Sequence, residues 1–143
     1  MDLEKLKEQL IIDEGVKYET YLDHLSLKTV GIGHLCREDE PEFDLELGAK
    51  VSEERVTELF EQDIQSVIQD CKKVYDDWDK LPEEVKQIIA NMMFNLGRPR
   101  YSKFRKHIQA VMDGKWQESA NQMRDSRWHK QVPNRAERLC KRM

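Results

Sequence analysis

Residues Ile12 to His34 read IDEGVKYETYLDHLSLKTVGIGH, and how this stretch divides into elements decides the fold. The acidic pair Asp13-Glu14 directly precedes Gly15, a residue suited to end a helix in the left-handed conformation. From Val16 to Leu22 the pattern has period two among β-branched and aromatic residues, which predicts a strand. Asp23-His24 opens a turn, and Leu27 to Ile32 is the expected hairpin partner. Gly31 and Gly33 cost strand stability, so they predict a bulge or a close approach of other atoms to the backbone. Glu14, Asp23 and Thr29 thus come from separate short elements bunched around tight turns. Glycoside hydrolysis by two carboxylates needs such a convergence. With 36% of residues charged, however, the spacing alone describes solvated surface acids far more often than a catalytic pair.

Upstream, Asp2 is placed to cap a helix with Leu3, Leu6, Leu10 and Ile11 on one face. Glu14 then falls in the last turn, beside carbonyl ends that disfavour negative charge. Downstream, the acidic segment Leu35 to Lys50 holds Pro41 and Gly48. It predicts loop, with one short strand around Phe43, Leu45 and Leu47. Ser52 begins a long helix with the apolar stripe Val56, Leu59, Phe60, Ile64 and Val67. Trp78 to Leu81 forms a junction, and Pro82 suits the first turn of the next helix. That helix carries Val85, Ile88, Ile89, Met92, Met93 and Leu96 and is the expected central core helix, stopped by Gly97. Its methionines read as packing residues. Shorter helices are expected around Phe104 to Met112 and Trp116 to Met123. From Ser126 onward the pattern predicts a turn at Pro133-Asn134 and then a short basic helix.

The 143 residues suffice for one domain with a core that needs no metal or disulfide staple. Cys36, Cys71 and Cys140 are scattered, with no C-x-x-C and no histidine at a zinc-ligand interval. They read as reduced thiols, and no metal or cofactor is expected. No run approaches a membrane span, and the opening does not resemble a signal peptide. The net charge of −4 hides an asymmetry. From Arg98 onward 13 Lys and Arg face 4 Asp and Glu, a balance of +9, against 11 and 24 in residues 1–97, a balance of −13. The basic third faces either a polyanion or the acidic part of its own fold.

Three separated blocks carry a resemblance: Asp13 to His34 with its I-D-E-G, Asp23 and T-V-G-I-G-H; L-F-E-Q-D at Leu59 to Asp63; and S-R-W-H-K-Q-V-P-N-R-A at Ser126 to Ala136. A-N-M-M-F-N-L-G at Ala90 to Gly97 adds to them. Together they resemble the phage-type lysozymes, the family of the T-even bacteriophage muramidase (glycoside hydrolase family 24). The resemblance implies an α+β, mostly helical, lysozyme-like fold forming a single domain over residues 1–143. A small β-hairpin lobe would occupy about 15–51, a connecting helix about 52–72, and a larger helical lobe about 73–143 plus the N-terminal helix.

It also implies an endo-muramidase that hydrolyses the β-1,4 bond between N-acetylmuramic acid and N-acetylglucosamine in bacterial peptidoglycan, with inversion and cell-wall lysis. By motif position Glu14 is the proton donor, while Asp23 and Thr29 hold the attacking water. His34 and Asp63 match an ion pair joining the β lobe to the long helix. Arg135 matches an arginine lying against the glutamate, and Arg138 is placed to pair with Asp13. Asn95, Trp128 and Gln131 match positions lining or backing the cleft, with Trp128 read first as a core or junction aromatic. Asn95 and Val132 stand where the T-even enzyme has glutamine and threonine. The implied partners are peptidoglycan glycan strands, not nucleic acid, engaged by a monomer without stable membrane insertion. Made in a reducing cytoplasm, it would reach the wall after release through a separate pore protein, or serve another organism as an acquired lysozyme. A lytic transglycosylase and a non-catalytic peptidoglycan-binding module are the alternatives on this fold. The pairing of Asp23 with Thr29 argues against the first, and the intact set with Glu14 against the second.

Overall fold

A computed structural model describes residues 1–143 as two compact units, Lys7–Ser66 and Met1–Leu6 with Val67–Met143. The chain opens with α1 (Leu3–Glu14), and Asp2 caps it by accepting from Lys5 N at 3.1 Å. Gly15 ends it at φ +72°, donating to the Ile11 carbonyl at 2.9 Å. Strands β1 (Lys17–Leu22), β2 (Lys28–Gly31) and β3 (His34–Leu35) then form an antiparallel sheet in that order. The β1–β2 register shifts between Lys17 and Tyr21 before settling on Tyr21 opposite Thr29. Helix α2 (Glu53–Val74) follows, capped by Ser52, whose Oγ accepts from Arg55 N at 3.1 Å.

The core of the Lys7–Ser66 unit is Leu10, Val30, Ile32, Val51, Val56, Leu59, Phe60 and Ile64, all buried. Gly31 sits where a Cβ would lie 2.9 Å from Val56 Cγ1, and its φ is +66°. Both facts require glycine where β2 crosses α2.

The segment after His34 departs from its expected pattern. The third strand is His34–Leu35, and Pro41–Asp44 forms a 3-10 helix with no strand around Phe43, Leu45 and Leu47. Those three side chains are exposed, whereas Glu42 turns inward and pairs with Arg55 at 2.7 Å. A buried carboxylate paired with a partly exposed arginine has displaced the apolar face that alternation implied. The loop beyond is tied to β1 through Thr20, whose Oγ1 donates to Glu46 O at 2.6 Å while its carbonyl accepts from Gly48 N at 2.8 Å.

In the second unit, α3 (Glu83–Leu96) is buried at Val85 and continuously from Gln87 to Met93, as its apolar sequence requires. Gly97, at φ +77°, ends α3 and directly begins a short further helix, α4 (Arg98–Tyr101), with Pro99 in its first turn. Helices α5 (Arg105–Met112), α6 (Trp116–Arg124), α7 (Arg127–Gln131) and α8 (Pro133–Arg142) complete the unit. Pro133-Asn134 is a helix start, not a turn, because a first-turn proline lacks only an N–H that would go unbonded.

A polar chain runs through this core. Tyr75 and Tyr101 hydroxyls lie 2.6 Å apart, Tyr101 Oη lies 2.9 Å from His107 Nε2, and Ser119 Oγ lies 2.8 Å from His107 Nδ1. All four residues are buried, so each polar atom depends on its neighbour in place of water. Burial pushes the His107 imidazole down to about 4, which keeps it neutral when folded. The unfolded chain, with histidine near 6.5, takes up that proton first. Stability should therefore fall as pH drops from 6.5 towards 4, by roughly 3 kcal/mol in the limit. Urea unfolding across that range should show this slope in the wild type and a shallower one in His107→Gln.

Candidate active site

Five of the candidate residues, Glu14, Asp23, Thr29, His34 and Asp63, belong to the Lys7–Ser66 unit. Glu14 is the last residue of α1, partly buried, and its carboxylate lies over Gly33. A Cβ on Gly33 would stand 2.8 Å from Glu14 Oε2, and the residue has φ +61°. The two glycines of G-I-G therefore do different work: Gly31 admits the helix, and Gly33 leaves room for the carboxylate.

Asp23 follows β1 and folds the hairpin turn around itself. Its Oδ1 accepts from Leu25 N at 2.8 Å and Leu27 N at 2.9 Å, while its own N–H donates to Leu27 O at 2.9 Å. Such a side-chain-closed turn holds the carboxylate in one orientation. Both of these bonds use Oδ1, so Oδ2 retains acceptor capacity. Thr29 is buried on β2, and its hydroxyl donates to Leu27 O at 3.0 Å. With its proton so committed, Thr29 Oγ1 offers lone pairs to a further donor such as water.

Tyr21 is a residue the sequence reading missed. It faces Thr29 across the ladder, and Lys17 Nζ lies 4.3 Å from its ring centroid. Burial, then the charges of Glu14 and Asp23, raise its phenol above the ordinary value. Tyr21 thus lies in the field of both carboxylates. It carries no acid and sits in a period-two strand pattern, where a tyrosine reads as a packing residue, so its place was not legible.

His34 uses both ring nitrogens. Nδ1 lies 2.7 Å from Asp63 Oδ2 on α2, as the motif implied, and Nε2 lies 2.8 Å from Glu40 Oε1. Glu40, absent from the expected set, also accepts from Arg37 N at 2.7 Å. Burial opposes charge on His34, but the bonds to Asp63 and Glu40 outweigh it and raise the imidazole. Glu40 is held low by His34 and the Arg37 N–H, against its own burial.

The remaining candidates lie in the other unit. Trp128 is buried, sets its ring edge-on to Phe104, and donates its indole N–H to Asn95 Oδ1 at 2.7 Å. That bond orients the Asn95 amide and leaves its NH2 as a donor. Gln131 is exposed and accepts from Arg100 Nη2 at 3.2 Å. Trp128 and Gln131 line a groove of about 570 Å³ whose wall includes Arg100, Lys103, Arg105 and Lys106. Arg135 is anchored to Asn91, its Nε donating to Oδ1 at 2.9 Å.

The phage lysozyme family profile matches residues 12–143. A probable T4-type lysozyme 2 of Dictyostelium discoideum is 29% identical, covering 94% of this chain and 90% of the relative. The pre-baseplate central spike protein Gp5 of Enterobacteria phage T4 is also 29% identical, over 94% of this chain and 26% of its own length. A peptidoglycan hydrolase, gp36, of Pseudomonas phage phiKMV is 26% identical over 99% of this chain and 15% of its own. With the mostly helical fold and its three-stranded sheet, the match defines a lysozyme-type glycoside hydrolase. The chain belongs to the phage lysozyme family.

Two outcomes follow from this geometry. Gly33→Ala should displace the Glu14 carboxylate and cut cell-wall clearing more than it lowers the thermal midpoint, a contrast that turbidity and calorimetry measure together. Glu40→Gln should cost about 2 kcal/mol. The raised His34 contributes fully below about 6.5 and fades as pH rises through its folded value. The lowered Glu40 contributes above about 4.5 and fades as pH falls through its folded value. Unfolding free energies of wild type and Glu40→Gln should accordingly differ most between those limits, and the gap should narrow at alkaline pH to what the Arg37 bonds contribute.

Proposed function

We propose that this lysozyme hydrolyses the β-1,4 bond between N-acetylmuramic acid and N-acetylglucosamine in peptidoglycan, with inversion. The observation that carries the reading is the shared neighbourhood of three groups. Glu14 and Asp23 both act on Tyr21, and Tyr21 pairs across the ladder with Thr29. Glu14 donates its proton to the leaving glycosidic oxygen as the bond breaks. Asp23, held by the turn through Oδ1, takes a proton from water, and Thr29 Oγ1 accepts the water's other hydrogen. A water aimed in this way enters opposite the leaving group. Asn95 (oriented by Trp128), Gln131 and Arg135 are the glycan-supporting candidates within the helical unit. The substrate class is supported by the peptidoglycan hydrolase among the relatives. No helix is long and apolar enough to cross a membrane. The protein acts on the cell wall as a monomer, released by a separate pore protein.

The test is clearing of purified peptidoglycan. Glu14→Gln should keep its circular dichroism and lose about 10²–10⁴-fold in rate. Thr29→Ala should lose much of kcat with little change in glycan binding. NMR of the nascent reducing end should show the α-anomer. A β-anomer before mutarotation, or a glycosyl ester on Asp23, overturns inversion, and an anhydro-sugar end marks a transglycosylase instead.

A further inference from the structure

The side chains of His129, Glu137 and Cys140 converge where α7 meets α8. One ligand atom from each, an imidazole nitrogen, a carboxylate oxygen and a thiol sulfur, lies within 4.8 Å of the other two. We propose that these three residues form a binding site for a divalent transition-metal ion, with zinc the best match.

The donor set decides the class of ion. Zinc accepts nitrogen, oxygen and sulfur ligands together, whereas calcium and magnesium take oxygen alone. Three ligands at zinc bond lengths of about 2.0–2.3 Å on a tetrahedron stand roughly 3.3–3.5 Å apart. His129 Nε2 and Glu137 Oε2 are already 3.1 Å apart, so closing the triangle requires only a shift of the thiol and small side-chain rotations. The backbone favours this. Glu137 and Cys140 are three residues apart on α8, which puts them on one face. His129 is held on α7 by its N–H bond to the Ser126 cap at 3.2 Å.

An outer group is present as well. Arg124 Nε donates to Glu137 Oε1 at 3.0 Å, the kind of bond that orients a ligating carboxylate and steadies its second oxygen. The bland account is a surface chain of ion pairs, Arg124 to Glu137 to His129. That account gives no role to Cys140, which is only 2% exposed and turned to the same point. An ion uses all three donors. Cys140 would bind as thiolate, its proton passing to solvent, and a water would complete four-coordination. The ion would tie the helix that carries Trp128 and Gln131 to the helix that carries Arg135.

The experiment is a Co²⁺ titration of the full, reduced, chelator-treated protein without oxygen. The expected result is a near-ultraviolet thiolate-to-cobalt charge-transfer band that saturates at one ion per chain and is abolished by Zn²⁺. Cys140→Ser should lose the band, and His129→Ala should bind cobalt at least ~10-fold more weakly. Zn²⁺ should raise the thermal midpoint of the wild type and not of Cys140→Ser. If Cys140→Ser fails to fold, His129→Ala alone decides. No thiolate band in the wild type, or a band of unchanged strength and affinity in both variants, which would place the ion on Cys36 or Cys71, overturns the proposal.

Discussion

The Lys7–Ser66 unit depends on one imidazole bonded on both sides. His34 begins β3, takes Asp63 from α2 on Nδ1, and takes Glu40 from the following turn on Nε2. Three elements of different kinds, a two-residue strand, an irregular loop and a long helix, are thereby fixed to one small ring. Desolvating a charged ring is costly, and one carboxylate with incomplete bonding would not repay it. Here Glu40 is also bonded to the Arg37 N–H and sits beside the Arg37 guanidinium at 3.6 Å. The cluster is satisfied because each member has several partners. It matters to the site because β3 is paired to β2, and β2 carries Thr29.

A second constraint is the absence of side chains at two positions. Gly31 lets the sheet approach Val56, and Gly33, two residues later, lets the Glu14 carboxylate settle against the backbone. Both have positive φ, so the same short turn that demands glycine for its geometry also demands it for space. The candidate acid is thus positioned from two directions: by the end of its own helix at Gly15 and by the hollow above Gly33.

Signals that act locally were legible in the sequence. Asp2, Gly15, Ser52, Pro82 and Gly97 mark helix ends through their own chemistry, and the structure has a helix boundary at each. The site was legible in part. The spacing of Glu14, Asp23 and Thr29 was ambiguous alone, and the resemblance of the three blocks singled these residues out. Glu40 and Glu42 were not legible, because in an acidic tract a carboxylate reads as a solvated charge. Only the fold shows that Glu40 meets His34 and Glu42 meets Arg55. The apolar alternation of Phe43, Leu45 and Leu47 misled for the converse reason: those side chains face water while their neighbour Glu42 is buried. Tyr21 was hidden because an aromatic in a β pattern reads as packing, and only the pairing with Thr29 shows what it faces.

The buried chain from Tyr75 through Tyr101 and His107 to Ser119 has a consequence for how this protein can diverge. Each member is the hydrogen-bond partner of the next, so an apolar replacement at Tyr101, His107 or Ser119 alone strands a polar atom in the core. Replacing His107 and Ser119 together removes donor and acceptor at once and leaves Tyr75 bonded to Tyr101. The four positions lie on α5, α6, α4 and just beyond α2, well separated along the chain. They should therefore accept change in concert more readily than one at a time. Substitution effects within the set should be strongly non-additive. A descendant of this lineage would then hold either the whole polar chain or an apolar core in its stead, with few viable steps between.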